Sequence, residues 1–128
     1  MNLMTYWIYH KLLWNPYEDV DALIAEFCDK VYGNASDEMQ QYYSLLYLGW
    51  NYGATELLPY EFNAKIKWSV GQEYYMNYFL DVEPEDGVYI LDALKDALTR
   101  AYEAADGYAK ELIRYPYEVY QDWEKYLE

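Results

Sequence analysis

The chain has 128 residues, enough for one domain with a hydrophobic core and too few to make two domains the expectation. Its 23 Asp and Glu against 9 Lys and Arg give a net charge of -14, which repels nucleic-acid phosphates and anionic lipid headgroups. The composition therefore argues against nucleic acid and acidic membranes as partners.

Few residues are available for metal or nucleophilic chemistry. Cys28 is the only cysteine and His10 the only histidine, so the sequence allows no internal disulfide and no thiolate metal cluster. A zinc site would need carboxylates around one imidazole, and no spacing of acids suggests such a site. The sequence has no Gly-rich phosphate loop, nucleophile elbow, CxxC or HExxH motif. We therefore expect no cofactor, no metal and no catalytic residue in this chain.

The first predicted element, residues 3–14, is apolar or aromatic at almost every position. A helix that is apolar nearly all round is normally enclosed on several sides. This helix is therefore either central to a bundle or separated from a neighbouring domain. No apolar run reaches the roughly 18 to 20 residues that a membrane span needs, so no membrane partner is expected.

A clearly amphipathic second helix is predicted as far as Tyr32, with apolar residues at i, i+3, i+4 and i+7 from Val20. Proline cannot donate a backbone hydrogen bond, so Pro16 predicts that the first helix ends near residue 14. Two N-caps are consistent with the second helix, Asn15 or Asp19. The acids around this start favour the helix dipole.

A third helix is predicted from about Ser36 to Tyr52. Gly33 stands where a left-handed C-cap is favoured, and Asn34 and Ser36 are candidate N-caps for the next helix. The first half of the chain therefore reads as helix, turn, helix, turn, helix.

The segment around residues 60–71 has two interpretations. Residues 62–71 alternate between apolar and polar, as in a half-buried strand. No second stretch offers a partner strand, and an isolated strand is unstable. Phe62, Ile66 and Val70 also fit one side of a helix, which we favour, while a short β or irregular segment near 60–71 remains the alternative.

The last part of the chain is predicted to be helical. Residues 81–92 resemble a calcium loop only superficially, because Asp86 stands where the loop needs glycine, so an acidic turn is favoured. A helix follows from Val88, and Gly107 either ends or interrupts it. Pro116 predicts a break or kink before a short last helix over 119–127. The fold class is therefore all-α, a single helical domain over 1–128 with about five to six helices.

The 19 Tyr and 5 Trp residues are unusually many. Aromatic rings of this kind pack at core margins and interfaces, and their flat faces also stack on sugars. Helix packing is the more common role, and a glycan-contacting surface is the alternative. The candidate residues for that surface are Tyr42, Tyr43, Tyr74, Tyr75, Tyr115 and Tyr117.

Residues 11–33, KLLWNPYEDVDALIAEFCDKVYG, resemble a segment of bacterial glycoside-hydrolase-like proteins, as does the following helix with Met39 and its Tyr pair. These proteins carry a domain of unknown function related to the alpha-glucuronidase and hexosaminidase barrels. The resemblance covers about a quarter of the chain. The matching positions are Lys11, Leu12, Leu13, Trp14, Asn15, Pro16, Asp19, Val20, Asp21, Ala22, Leu23, Phe27, Tyr32 and Gly33.

The resemblance implies a helical tail beside a catalytic barrel. The catalytic carboxylates of such proteins lie upstream on barrel strand ends, so no catalytic residue carries over to this chain. It also implies that the chain is a fragment of a larger, secreted or envelope protein. The expected partner is then the missing barrel, or a second copy bound through the N-terminal helix. The interface residues would be Trp7, Ile8, Leu12 and Trp14.

Three hypotheses of function follow. The first is a non-catalytic accessory domain that braces or extends the barrel of a carbohydrate-active protein. The second is a free-standing helical module that dimerises through its aromatic surface. The third is a small glycosidase in its own right, which would need two carboxylates about 5 to 10 Å apart, and nothing in the sequence selects such a pair.

Overall fold

The computed structural model describes residues 3–55, 83–84 and 87–122. Within these residues the chain is helical, with no β-strand, which confirms the all-α class. The alternatives at 60–71 lie outside the described residues. The elements are α1 (Leu3–Trp14), α2 (Val20–Tyr32), a 3-10 turn (Gly33–Ala35), α3 (Ser36–Thr55), α4 (Ile90–Ala104) and α5 (Gly107–Gln121).

The chain forms two compact units, Met1–Gln40 with Leu98–Glu128, and Gln41–Ala97. The prediction of one domain belonging to a larger protein stays a prediction. In the first unit, α2 contacts α1, the 3-10 turn and α5. Its buried apolar side chains are Met4, Leu23, Phe27, Cys28, Tyr32, Ala35, Met39, Leu98, Ala101, Ala105 and Ile113. Those of the second unit are Tyr42, Ile90, Leu91, Leu94 and Ala97.

The turn between α1 and α2 decides between the two predicted N-caps. The Asp19 carboxylate accepts from the backbone N–H of Asp21 at 2.9 Å and of Ala22 at 3.4 Å, so Asp19 is the N-cap. The Asn15 side-chain oxygen instead accepts from the backbone N–H of Tyr17 at 3.1 Å. Asn15 therefore shapes the turn that precedes α2 and does not cap the helix.

The connection from α2 to α3 is a single 3-10 turn. Gly33 has φ +52° and ψ -113°, so the predicted positive φ is confirmed, although this ψ lies outside the left-handed helical region. Ser36 is already helical, at φ -56° and ψ -49°. Its hydroxyl donates to Asp29 and accepts from Gln40 Nε2 at 2.9 Å. The expectation of Ser36 as an N-cap is therefore wrong, because its side chain links α2 to α3.

The end of α4 and the course of α5 settle two further predictions. α4 ends at Ala104 and α5 begins at Gly107, whose φ of +54° lets the chain turn between them. The helix therefore ends before Gly107. Of the break or kink predicted at Pro116, the break is wrong, because α5 continues through this residue to Gln121, and the kink stays a prediction. Proline removes one backbone hydrogen bond of α5, and the remaining backbone hydrogen bonds keep the helix continuous. Residues 123–128 of the predicted last helix lie outside the described residues.

Aromatic stacking joins the end of α4 to α5 in the first unit. The Tyr102 and Tyr117 rings are parallel within 6° with centroids 4.6 Å apart, and Lys110 Nζ lies 4.5 Å from the Tyr102 centroid. The Gln121 amide donates to the Thr99 hydroxyl at 3.3 Å. These contacts, with the fully buried Ile113, hold α5 against the unit.

The acidic turn was predicted in the segment before α4, where Gly87 lies in a turn. The backbone N–H of Gly87 donates to the Glu83 carboxylate at 3.4 Å, and α4 begins at Ile90, two residues later than expected. Asp81, Glu85 and Asp86 lie outside the described residues. No helix among the described residues is long and apolar enough to cross a membrane.

Candidate functional site

Helix α1 has one covered side and one open side. Met4 is buried, and Ile8 and Lys11, four and seven positions later, are half-buried. The opposite side is largely exposed, and we call its apolar residues the exposed face of α1. Its members are Leu3 at 64%, Tyr6 at 48%, Tyr9 at 59% and Leu13 at 63% exposure. α1 therefore has more apolar surface than α2 covers.

The covered side of α1 meets α2 through Trp7. The Trp7 ring lies 5.8 Å from Phe27, tilted by 52°. The Lys11 and Lys30 Nζ atoms lie 5.1 Å and 6.0 Å from the Trp7 centroid. Lys30 also donates to the Glu26 carboxylate at 2.6 Å, and this hydrogen bond lowers the pKa of Glu26. Two cations beside one indole are favourable contacts that help to fix the ring.

An open cleft of about 380 Å³ lies at the C-terminal end of α1 and the start of the following turn, and we call it the α1 cleft. Trp14, at 91% exposure, is one of its walls. The cleft combines two indoles with four polar side chains. Its lining residues are Trp7, His10, Lys11, Trp14, Asn15 and Glu18.

The predicted interface residues do not all lie on open surface. Trp7, Ile8 and Leu12 are half-buried, whereas Trp14 is almost fully exposed. Sequence reasoning missed the exposed face of α1, because a helix that is apolar all round gives no periodicity from which to choose a side. The spacing i, i+3, i+10 places Leu3, Tyr6 and Leu13 on one side of a helix, and this spacing could have indicated the exposed face.

The predicted aromatic contact residues have different surroundings. Tyr42 is buried and its ring lies 5.4 Å from the half-buried Tyr43. Tyr117 stacks on another ring, as described above, and Tyr115 is 76% exposed. Tyr74 and Tyr75 lie outside the described residues. Among the residues that are described, Tyr115 therefore offers the most open ring of this set.

The nucleophilic and metal-binding side chains are dispersed. Cys28 is fully buried, and burial, followed by the neighbouring charge of Asp29, raises the pKa of its thiol to about 12. His10 is exposed at the α1 cleft. In the part of the chain that the structure describes, no three His, Cys, Asp or Glu side chains are grouped to hold a metal ion.

The comparisons with known proteins concern the N-terminal third. A family model described as a domain of unknown function (DUF4838) matches residues 1–44, which contain α1, α2 and the first part of α3. This match confirms that the N-terminal segment, from α1 to the first part of α3, is similar to a domain of unknown function. No curated protein and no solved structure matches the chain.

Proposed function

We propose that the chain is a non-catalytic helical accessory region of a carbohydrate-active, glycoside-hydrolase-like protein, and that it braces a catalytic barrel through the exposed face of α1. The observation that carries this proposal is the exposed face of α1, whose four apolar side chains are 48–64% exposed. The family match over residues 1–44 supports the proposal, because α1 lies inside the matched segment.

The composition of α1 suits a buried interface. The cores of interfaces are depleted of charged residues and enriched in aromatic ones. α1 contains no acid, although the chain has 23, and its exposed face is two Tyr and two Leu. A docking surface of this kind can be buried without placing a carboxylate in an apolar environment.

The magnitudes favour an attached domain over a free partner. Full burial of a large apolar side chain contributes about 1.5–3 kcal/mol, so burying the open parts of these four side chains contributes on the order of 5 kcal/mol. Free association loses about 4–15 kcal/mol of translational and rotational freedom. A covalently attached partner avoids most of that loss. A second copy would also bring another net charge of -14 into contact.

The gene gives the first test. Several hundred barrel-encoding residues in frame upstream of Met1 are expected. A stop codon followed by a ribosome-binding site directly before Met1 would refute the attached-barrel function.

The second test uses the longer protein. Leu13→Glu should expose α1 to amide hydrogen exchange and lower the melting temperature, because a charge enters the docked surface. Tyr108→Glu is the matched control, since Tyr108 is 78% exposed on α5 and lies outside α1. Equal effects of the two variants would contradict docking through α1.

Light scattering on the 128-residue chain tests dimerisation as the competing function. We expect association that is weak and strongly concentration-dependent. A stable dimer that Leu13→Glu dissociates would favour the dimerisation module, and the barrel proposal would then lose its physical basis.

A further inference from the structure

The α1 cleft has two indole walls, Trp7 and Trp14, that are not among the residues of the exposed face of α1. Trp7 and Trp14 are seven residues apart, which places them about 10.5 Å apart along the helix axis on the same side. His10 and Lys11 lie between them. Trp7 is anchored by Phe27 and by two Lys side chains, whereas the Trp14 ring is 91% exposed. The cleft thus has one fixed aromatic wall and one open aromatic face.

The turn after α1 gives the cleft a defined polar edge. The Asn15 backbone N–H donates to the Lys11 carbonyl at 3.0 Å, and the Glu18 backbone N–H donates to the Asn15 carbonyl at 3.3 Å. The Asn15 side-chain oxygen accepts from the Tyr17 N–H, so the amide NH₂ is the group left to donate to a ligand. The Asn15 amide and the Glu18 carboxylate therefore provide a donor and an acceptor on the edge of the cleft.

The charges of the lining select a class of ligand. Lys11 and Glu18 carry opposite charges, so the cleft attracts neither anions nor cations by its own net charge. The net charge of -14 on the chain further disfavours anions. The lining therefore favours a neutral ligand. Such a ligand would have an apolar face that stacks on an indole and several hydroxyl groups that bond to the donors and acceptors of the cleft. A pyranose ring has both features, and the cleft volume lies within the range of about 300–1,000 Å³ typical of ligand sites.

We propose that the α1 cleft is a binding site for a neutral saccharide. One pyranose ring stacks on the Trp14 indole, and its hydroxyl groups bond to Asn15 and Glu18, with Lys11 and His10 on the helix side. The site shares no residue with the exposed face of α1 and goes beyond the bracing function. It is also separate from the aromatic surface expected from the Tyr pairs.

The test is a titration of the ¹⁵N-labelled chain, with the indole N–H signals followed by NMR. The probes are the neutral tetrasaccharides cellotetraose, xylotetraose, maltotetraose and tetra-N-acetylchitotetraose, and the anionic tetragalacturonate. Titration to about 20 mM covers the ~1 mM dissociation constants of weak ligands. At least one neutral probe should shift the Trp14 signal saturably, and tetragalacturonate should bind more weakly.

Two substitutions and a matched control locate the site. Trp14→Ala, whose binding is followed at the Trp7 indole, should weaken binding by about tenfold or more. Glu18→Gln should weaken it by up to about tenfold, because one charge-assisted hydrogen bond weakens. Tyr17→Ala is the control, since Tyr17 is 94% exposed in the same turn and does not line the cleft. It should leave the dissociation constant within about twofold. Far-UV circular dichroism checks that each variant keeps its helices.

Three results would overturn the proposal. The first is that no neutral probe shifts the Trp14 signal. The second is that Tyr17→Ala weakens binding as much as Trp14→Ala. The third is that tetragalacturonate binds more tightly than every neutral probe. Barrel docking is tested at Leu13, so its failure leaves the saccharide result unaffected.

Discussion

Replacing Phe27 with alanine should loosen α1 from α2. Phe27 is 4% exposed. Its ring centroid lies 5.8 Å from that of Trp7 and 6.1 Å from that of Tyr32. Truncating a buried Phe to Ala costs about 3–5 kcal/mol. An aromatic pair contributes about 0.5–1.5 kcal/mol beyond the area that it buries. The contact with Trp7 should therefore account for a measurable fraction of the loss, and that fraction belongs to the α1–α2 interface.

Urea unfolding followed by circular dichroism measures the total loss. A double-mutant cycle with Trp7→Ala, Phe27→Ala and both together isolates the pair. The expected coupling free energy is about 1 kcal/mol. Tyr115→Ala is the control, since its exposed ring should change the free energy of unfolding by no more than about 0.5 kcal/mol. A Phe27→Ala loss below about 1 kcal/mol, or a coupling of zero, would refute this account of how α1 is held.

Three further predictions concern the capping, the thiol and one turn. Asp19→Ala should destabilise the chain by about 1 kcal/mol, because two backbone N–H groups lose their acceptor, whereas Asp21→Asn should change little; urea unfolding compares them. Burial raises the Cys28 pKa from 9.0 to about 12, so the unfolded chain loses the thiol proton at lower pH than the folded chain. The free energy of unfolding should therefore fall as pH rises between those two values. Cys28→Ala should show a smaller fall between about pH 8 and about pH 10.5. Gly107→Ala should lower stability by about 1–2 kcal/mol through its positive φ alone, since an added Cβ meets no atom within 4 Å; thermal melting measures it.

The helix boundaries near the N-terminus were predictable because local chemistry fixes them. Pro16 ends α1, a polar cap starts α2, and Gly33 ends it, and the bounds of both helices agree with the prediction. Which polar residue caps α2 was left open, because Asn15 and Asp19 are equally good acceptors by type. The choice depends on the turn geometry, which a list of propensities does not contain.

The break predicted at Pro116 was wrong because tertiary packing opposes the local signal there. A proline removes one hydrogen bond and favours a break locally. The stack of Tyr117 on Tyr102, with the burial of Ile113, holds the flanking turns of α5 in place. Tertiary packing therefore outweighs the local preference, and the sequence does not show which ring Tyr117 meets.

The candidate surfaces were harder to predict than the fold. A largely apolar α1 indicated either a central helix or a missing neighbour, but not which side stays open, because that depends on where Phe27 and Lys30 approach Trp7. The α1 cleft was hidden for a similar reason. Its lining combines helix positions with two residues of the next turn, and only the folded turn brings them together.

Leu13 and Trp14 are neighbours in sequence and yet separate the two proposals. Successive helix positions differ by about 100° around the axis, so Leu13 lies on the exposed face of α1 while Trp14 lines the α1 cleft. Leu13→Glu should therefore abolish docking and leave saccharide binding intact, whereas Trp14→Ala should do the reverse. If either substitution removed both activities, the two surfaces would be one site, and α1 would meet its barrel and its saccharide in competition.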